Sequence, residues 1–185
     1  MRGTVIHDIL EAFIKAGPWR TAEQAKIKLL ELSQTMLEDL VPWPTARRMW
    51  QARVVRFADW FTKGEILRQA DLLSSHTEVW GRATVTDTGF TLVGKADRVD
   101  VLHDGTARIY DYKTGPLPSS AQQLHFDKQL LLEAEILQQG GFEGLNVLQV
   151  AEATYIGVGN ELKLAKAPLG AVSYTHLTLP TKRIV

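Results

Sequence analysis

The chain has 185 residues, 45% hydrophobic and 23% charged, a composition that supports a folded domain with its own core and excludes wholesale disorder. Twenty-one basic residues balance 21 acidic ones, which argues against a surface devoted throughout to phosphates. The absence of cysteine removes disulfides, thiolate zinc sites and iron–sulfur clusters. With no apolar run of membrane-spanning length and no signal peptide in MRGTVIHDIL, the expectation is a soluble, cytoplasmic protein of a reducing compartment.

In chain order, Ile6, Leu10, Phe13 and Ile14 recur at helical spacing and predict a helix over 3–16, stopped by Gly17-Pro18. A second helix is expected over 21–40, ended by the prolines at 42 and 44, and a third over 45–73, long or broken near Gly64. The third carries Trp50, Trp60 and Phe61, read as core aromatics, and a local basic excess: Arg47, Arg48, Arg53, Arg56, Lys63 and Arg68 against Asp59 and Glu65. A solvated helix face and a phosphate-contacting surface both account for that excess.

The period then changes from helical to alternating. Strands are expected over 77–86, 91–102 and 106–113, separated by hairpin loops at 87–89 and 103–105. Ser119-Ser120 can cap a fourth helix running to Gln139, which Gly140-Gly141 ends. A strand over 146–158 and a weaker one over 162–166 follow. Helices, a three-stranded meander, a helix and a further strand suggest α/β layering around a mixed sheet, the closing strand pairing parallel through its crossover helix.

The stretch GKADRVDVLHDGTARIYDYKTG carries the chemistry. Asp111 and Lys113 are two apart on a strand and share a face. A three-residue loop at 103–105 opposes Leu102 to Thr106, Val99 to Ile109 and Asp97 to Asp111. Val93, Val99, Val101, Ile109 and both aspartates then share a face, and Asp100 meets Arg108 on the other. A two-residue loop would put the aspartates on opposite faces and set Arg98 against Asp111. The longer loop is preferred because it keeps the aliphatic residues together. Two opposed carboxylates repel unless a cation lies between them. Mg²⁺ takes one or two carboxylates plus water and substrate phosphate. A neighbouring lysine can orient a water and offset charge on a phosphate oxygen. These residue types also fit an exposed, charged strand end with an ordinary Asp–Lys pair.

The strings G-K-A-D-R-V-D and Y-D-Y-K-T-G, followed by Gln129-Leu130 on a helix, resemble the PD-(D/E)XK nuclease superfamily. Within it they are similar to RecB-like nucleases, whose first helix carries Gly-x-x-x-His and then Leu-Glu, here Gly3, His7, Leu10 and Glu11. With the segment from Lys128 to Glu133, the set covers 2–160 in order and most resembles the C-terminal nuclease domain of AddB subunits of AddAB helicase–nucleases. The resemblance implies a restriction-endonuclease-like α/β core over 1–166, a mixed β-sheet flanked by helices with a helical N-terminal part, as a fragment of a larger subunit. It implies a DNA exonuclease that uses Mg²⁺, or Mn²⁺, to hydrolyse single strands from an unwound duplex end during double-strand break repair and recombination, beside an AddA-like partner. His7, Asp97, Asp111 and the Tyr112 carbonyl are implied metal ligands, Lys113 the catalytic lysine, and Gln129 a residue positioning DNA or Lys113. Glu78 is a further acidic residue on the first strand, its register open. The basic run from Arg47 to Arg56 is expected to contact DNA or the remainder of the subunit. A free-standing RecB-like or CRISPR-associated exonuclease and a non-catalytic DNA-binding scaffold are the alternatives.

The chain departs from the family at Glu133, where many relatives have tyrosine, and lacks the four cysteines with which some AddB proteins hold an iron–sulfur cluster. It has no Gly-x-x-x-x-Gly-Lys-[Ser/Thr] loop, so any helicase activity is expected outside these residues. The first motif starts at Gly3, which suggests missing N-terminal context, and 167–185 are expected to be a non-native or disordered tail.

Overall fold

A computed structural model describes residues 4–85, 89–147 and 149–169. Helix α1 (Thr4–Ala16) presents one apolar stripe, and Ile6, Ile9, Leu10 and Phe13 on it are fully buried. Helix α2 (Ala22–Leu40) is capped by the Thr21 side chain, which accepts the Gln24 N–H. Pro44 opens α3 (Pro44–Arg68), where its missing N–H costs nothing. Val54, Phe57, Ala58 and Phe61 on α3 close a first core with α1, α2, Tyr110, Tyr112, Ile156 and Val158.

The sheet has five strands in sequence order: β1 (Leu72–Val85), β2 (Phe90–Leu102), β3 (Ala107–Lys113), β4 (Val150–Gly157) and β5 (Leu164–Lys166). Neighbours are antiparallel except β3 and β4, which run parallel. That parallel pair requires a crossover, supplied by α4 (Ser120–His125) and α5 (Gln129–Gln138). Helix α5 lies on the sheet face away from α1–α3 and builds a second core from Leu130, Ala134 and Ile136 against Val99, Ile109 and Tyr155. The mixed sheet with helices on both faces is a restriction-endonuclease-like α/β arrangement. Among the described residues, no helix is long and apolar enough to cross a membrane.

The three-residue hairpin loop forms as expected. Val99 pairs with Ile109, the Leu102 N–H donates to Thr106 O at 2.9 Å, and Gly105 takes a φ of +82°, which glycine adopts without penalty. Face assignments further along β2 differ from expectation. Leu92 and Ala96 pack toward α5, and so do Val99 and Val101, so the two-residue alternation skips one position at Asp97. The skip lies between the pairs Thr77–Arg98 and Val79–Ala96, where Glu78 has a φ of +56°. It turns Val93 outward, 57% exposed, instead of onto the face of Val99. It leaves Arg98 and Asp100 together under α3.

Asp100 faces Arg108 across the backbone ladder but does not pair with it. Its carboxylate receives both arms of Arg98 at 2.7 Å, while Arg108 reaches Asp71. The remaining differences are in extent. The third helix stops at Arg68 and passes through a short 3₁₀ turn (Gln69–Asp71) into a first strand that starts early, at Leu72. The helix expected over 119–139 breaks at residues 126–128, and the closing strand starts at Val150 rather than Asn146. Ala167 and Leu169, expected in the tail, pack against the second core, while 170–185 lie outside the described residues.

Candidate metal and active site

The site forms where α1 meets the middle of β2 and the C-terminal end of β3. Beyond the pair Arg98–Tyr110 the two strands separate, and the Asp97 side chain replaces the missing rung: its Oδ2 accepts the Tyr112 N–H at 2.9 Å. His7, one turn into α1, lies against the same point. Its Nε2 is 2.8 Å from Tyr112 O and its Nδ1 is 3.3 Å from Asp97 Oδ1.

Only a protonated Nε2 can bond that carbonyl, so the lone pair of a neutral His7 would point from Nδ1 at a carboxylate oxygen. A proton or a metal cation relieves that repulsion. The proton affinity of His7 is raised accordingly: burial works against the charged ring, and Asp97, Asp111 and the Tyr112 carbonyl outweigh it.

Among the described residues, His7, Glu78 and Asp97 form the one group of three whose ligand atoms all lie within 4.8 Å of one another. The skip at Glu78 and Asp97 brings this carboxylate in. Glu78 also forms an ion pair with Lys95. Carboxylate and carbonyl donors suit Mg²⁺, Ca²⁺ or Mn²⁺. The Nε2–H of His7 on a carbonyl is the usual arrangement that orients a ligating imidazole. With Nε2–H held by the Tyr112 carbonyl, Nδ1 is the nitrogen left to join the Asp97 and Glu78 carboxylates, a donor set that fits a divalent cation.

Asp111 stands just outside that trio, 2% exposed on the face toward α5. Its Oδ1 accepts Gln129 Nε2 at 2.6 Å, and Lys113 Nζ lies 2.9 Å from its Oδ2 as an ion pair rather than a directed hydrogen bond. Burial first, then the charge of Asp97, pushes the Asp111 carboxyl up to about 6, with Lys113 and His7 pulling the other way. Lys113 donates to Gln129 Oε1 at 2.9 Å and sits 5.1 Å over the Tyr155 ring. Gln129 begins α5 and spans the two groups with its amide. The structure thus gathers His7, Asp97, Asp111, the Tyr112 carbonyl, Lys113 and Gln129 at one end of the sheet.

Sequence reasoning named Glu133 only as a departure from the family and did not place it in the site. One turn after Gln129, it receives the second N–H of the same amide at 3.1 Å, and its Oε2 is buried without a hydrogen-bond partner. Burial, reinforced by the charges of Asp111 and Asp97 and opposed by the Gln129 bond, raises its carboxyl to about 8. The signal was available: a carboxylate four residues after Gln129 on a helix shares its face.

Several members of the basic run on α3 have partners within the chain, while Arg47 and Arg48 line one groove with Gln34 and Glu38. Lys63 pairs with Asp59, Arg68 with Glu65, Arg56 donates to Gly159 O, and Arg53 lies over the Trp50 ring. Phe61 is fully buried, and Trp50 and Trp60 pack against the first core, as expected.

The sequence model of a family described as the PD-(D/E)XK nuclease superfamily matches residues 1–179. The chain is also similar to uncharacterized proteins of Rickettsia. That of R. typhi (strain ATCC VR-144 / Wilmington) is 23% identical over 86% of this chain and 19% of its own length. Those of R. conorii (strain ATCC VR-613 / Malish 7) and R. bellii (strain RML369-C) are 24% and 23% identical over 80% and 76% of this chain, and over 18% and 17% of their own lengths. The chain spans less than a fifth of the curated relatives it matches.

Proposed function

The chain belongs to the PD-(D/E)XK nuclease superfamily, and from that premise we propose that it is a metal-dependent deoxyribonuclease acting on single strands. The observation that carries this reading is the convergence of His7, Glu78 and Asp97, with His7 Nδ1 3.3 Å from Asp97 Oδ1 on elements 90 residues away in sequence. Mg²⁺, with Mn²⁺ also fitting, would be held by His7, Asp97 and Asp111, with the Tyr112 carbonyl and Glu78 beside them. Bound there, the ion would lower the pKa of a water and neutralise charge on the phosphate.

The protein's own groups do the rest. Tyr112 O fixes the His7 ring. Gln129 holds Asp111 and Lys113 in register from one amide. Lys113, cationic and half-buried, donates to the attacking water and offsets the charge that develops on the nonbridging phosphate oxygen.

The order and spacing of the motifs support a finer assignment: an exonuclease that forms the nuclease part of a longer AddAB-type helicase–nuclease, with an AddA-like partner, in double-strand break repair. The test is Mg²⁺ titration calorimetry with single-stranded DNA cleavage on the 185-residue chain and two variants. Asp97→Ala is expected to lose both metal binding and cleavage. Lys113→Met is expected to keep metal binding and lose cleavage by at least about 100-fold. A folded wild-type chain that binds Mg²⁺ and cuts nothing, or binds none, would leave a DNA-binding scaffold as the better description.

A further inference from the structure

We infer that the cleft beside Lys113 seats the nucleobase next to the cleaved phosphate, with Phe126 as the surface on which that base stacks. The inference rests on the nuclease reading above and adds a substrate contact to it.

The sequence between Ser119 and Gln139 has the composition of one continuous helix, yet α4 ends at His125 and α5 begins at Gln129. The break is held rather than loose. The N–H groups of Phe126 and Asp127 both donate to Gln122 O, at 2.7 and 2.8 Å, and Asp127 Oδ1 accepts the Tyr155 hydroxyl at 2.6 Å. Tyr155 on β4 also carries Lys113 over its ring, so the break and the lysine share one anchor.

The consequence is an aromatic side chain held out from the surface. Phe126 is 85% exposed, more than any other large hydrophobic residue described. It stands at an open cleft of about 610 Å³, a volume that accommodates one nucleotide. Leu117 and Pro118 form the apolar wall of this cleft, and Lys113, Lys128 and Gln129 its polar side.

A planar apolar face beside cationic groups matches an unstacked nucleotide, which offers a flat π-face and an anionic phosphate. Asp127, also in the lining of the cleft, has its Oδ1 engaged by the Tyr155 hydroxyl, while Lys113 and Lys128 supply the cationic groups. A paired base has both faces covered by its neighbours, so the cleft selects single strands. Every base has a π-face, so it selects no sequence.

The probe is a short single-stranded DNA carrying 2-aminopurine, bound to the cleavage-deficient Asp111→Asn chain. Its fluorescence is expected to be quenched on binding, with quenching lost when Phe126→Ala is added and retained with Phe126→Trp. In the active chain, Phe126→Ala is expected to raise KM about 5- to 100-fold, the loss of one base–aromatic stack, with kcat changed far less. An abasic site at the stacking position should erase that difference. Unchanged quenching and KM in Phe126→Ala, or full function in Phe126→Leu, would overturn the inference while leaving the nuclease intact. A wild-type chain without cleavage would overturn the nuclease reading instead, and the quenching measurement would still decide the cleft.

Discussion

One amide, that of Gln129, satisfies a carboxylate, a carboxylic acid and an ammonium group at once. Burial, with the charges of Asp111 and Asp97, pushes the Glu133 carboxyl up to about 8 from an ordinary value of 4.5 and so favours its neutral form beside Asp111. The folded state therefore binds more protons than the unfolded state between these values, and stability falls as pH rises through that window. Glu133→Gln removes this linkage. Urea denaturation should find the variant more stable than wild type by on the order of a few kcal/mol at pH 8 and nearly equal to it below pH 5. An equal difference at both pH values would show that Glu133 ionises as an ordinary carboxylate. Arg98 presents the opposite case, a fully buried cation bonded to Asp100 and to Glu65 Oε2 at 2.8 Å. Truncation in Arg98→Ala strands two buried carboxylates, and a loss of about 3–5 kcal/mol in folding free energy is expected from the denaturation midpoint. A midpoint within experimental error of wild type would mean that Arg68 and Ser75 suffice for those carboxylates.

At the scale of elements, the sequence was legible where signals are local. The hairpin register followed from loop length and an aliphatic face, and it placed Val99 opposite Ile109 as observed. The parallel closing strand followed from the crossover helix between β3 and β4. Asp97, Asp111, Lys113 and Gln129 could be named because each belongs to a short string with fixed spacing. Glu78 could not be placed: its approach to His7 depends on a left-handed residue within a strand, which no period announces. The partner of Arg98 was hidden for a different reason. Glu65 lies 33 residues earlier on α3, and only the packed helix brings it over β2. The break between α4 and α5 was missed because Phe126, Asp127 and Lys128 are not helix breakers. The bond from Tyr155 to Asp127 favours the break through tertiary structure.

Across the whole molecule, the sheet separates two cores that share few side chains. One is built by α1–α3, the other by α5 and the segment around Phe142. His7 rides on the first, and Asp111, Gln129 and Glu133 belong to the second. A cation held between them would act as a clasp, favouring the closed arrangement of both halves by RT ln(1 + [L]/Kd) in free energy. Hydrogen exchange should therefore show amides of α1 slowing on addition of Mg²⁺. Asp97→Ala should abolish the slowing without unfolding α5. Magnesium that protected the neighbourhood of β2 and left α1 unaltered would mean that the helix closes independently of the ion. With such a clasp, the cation proposed to equip the chain for cutting would also decide when its first helix is in place to cut.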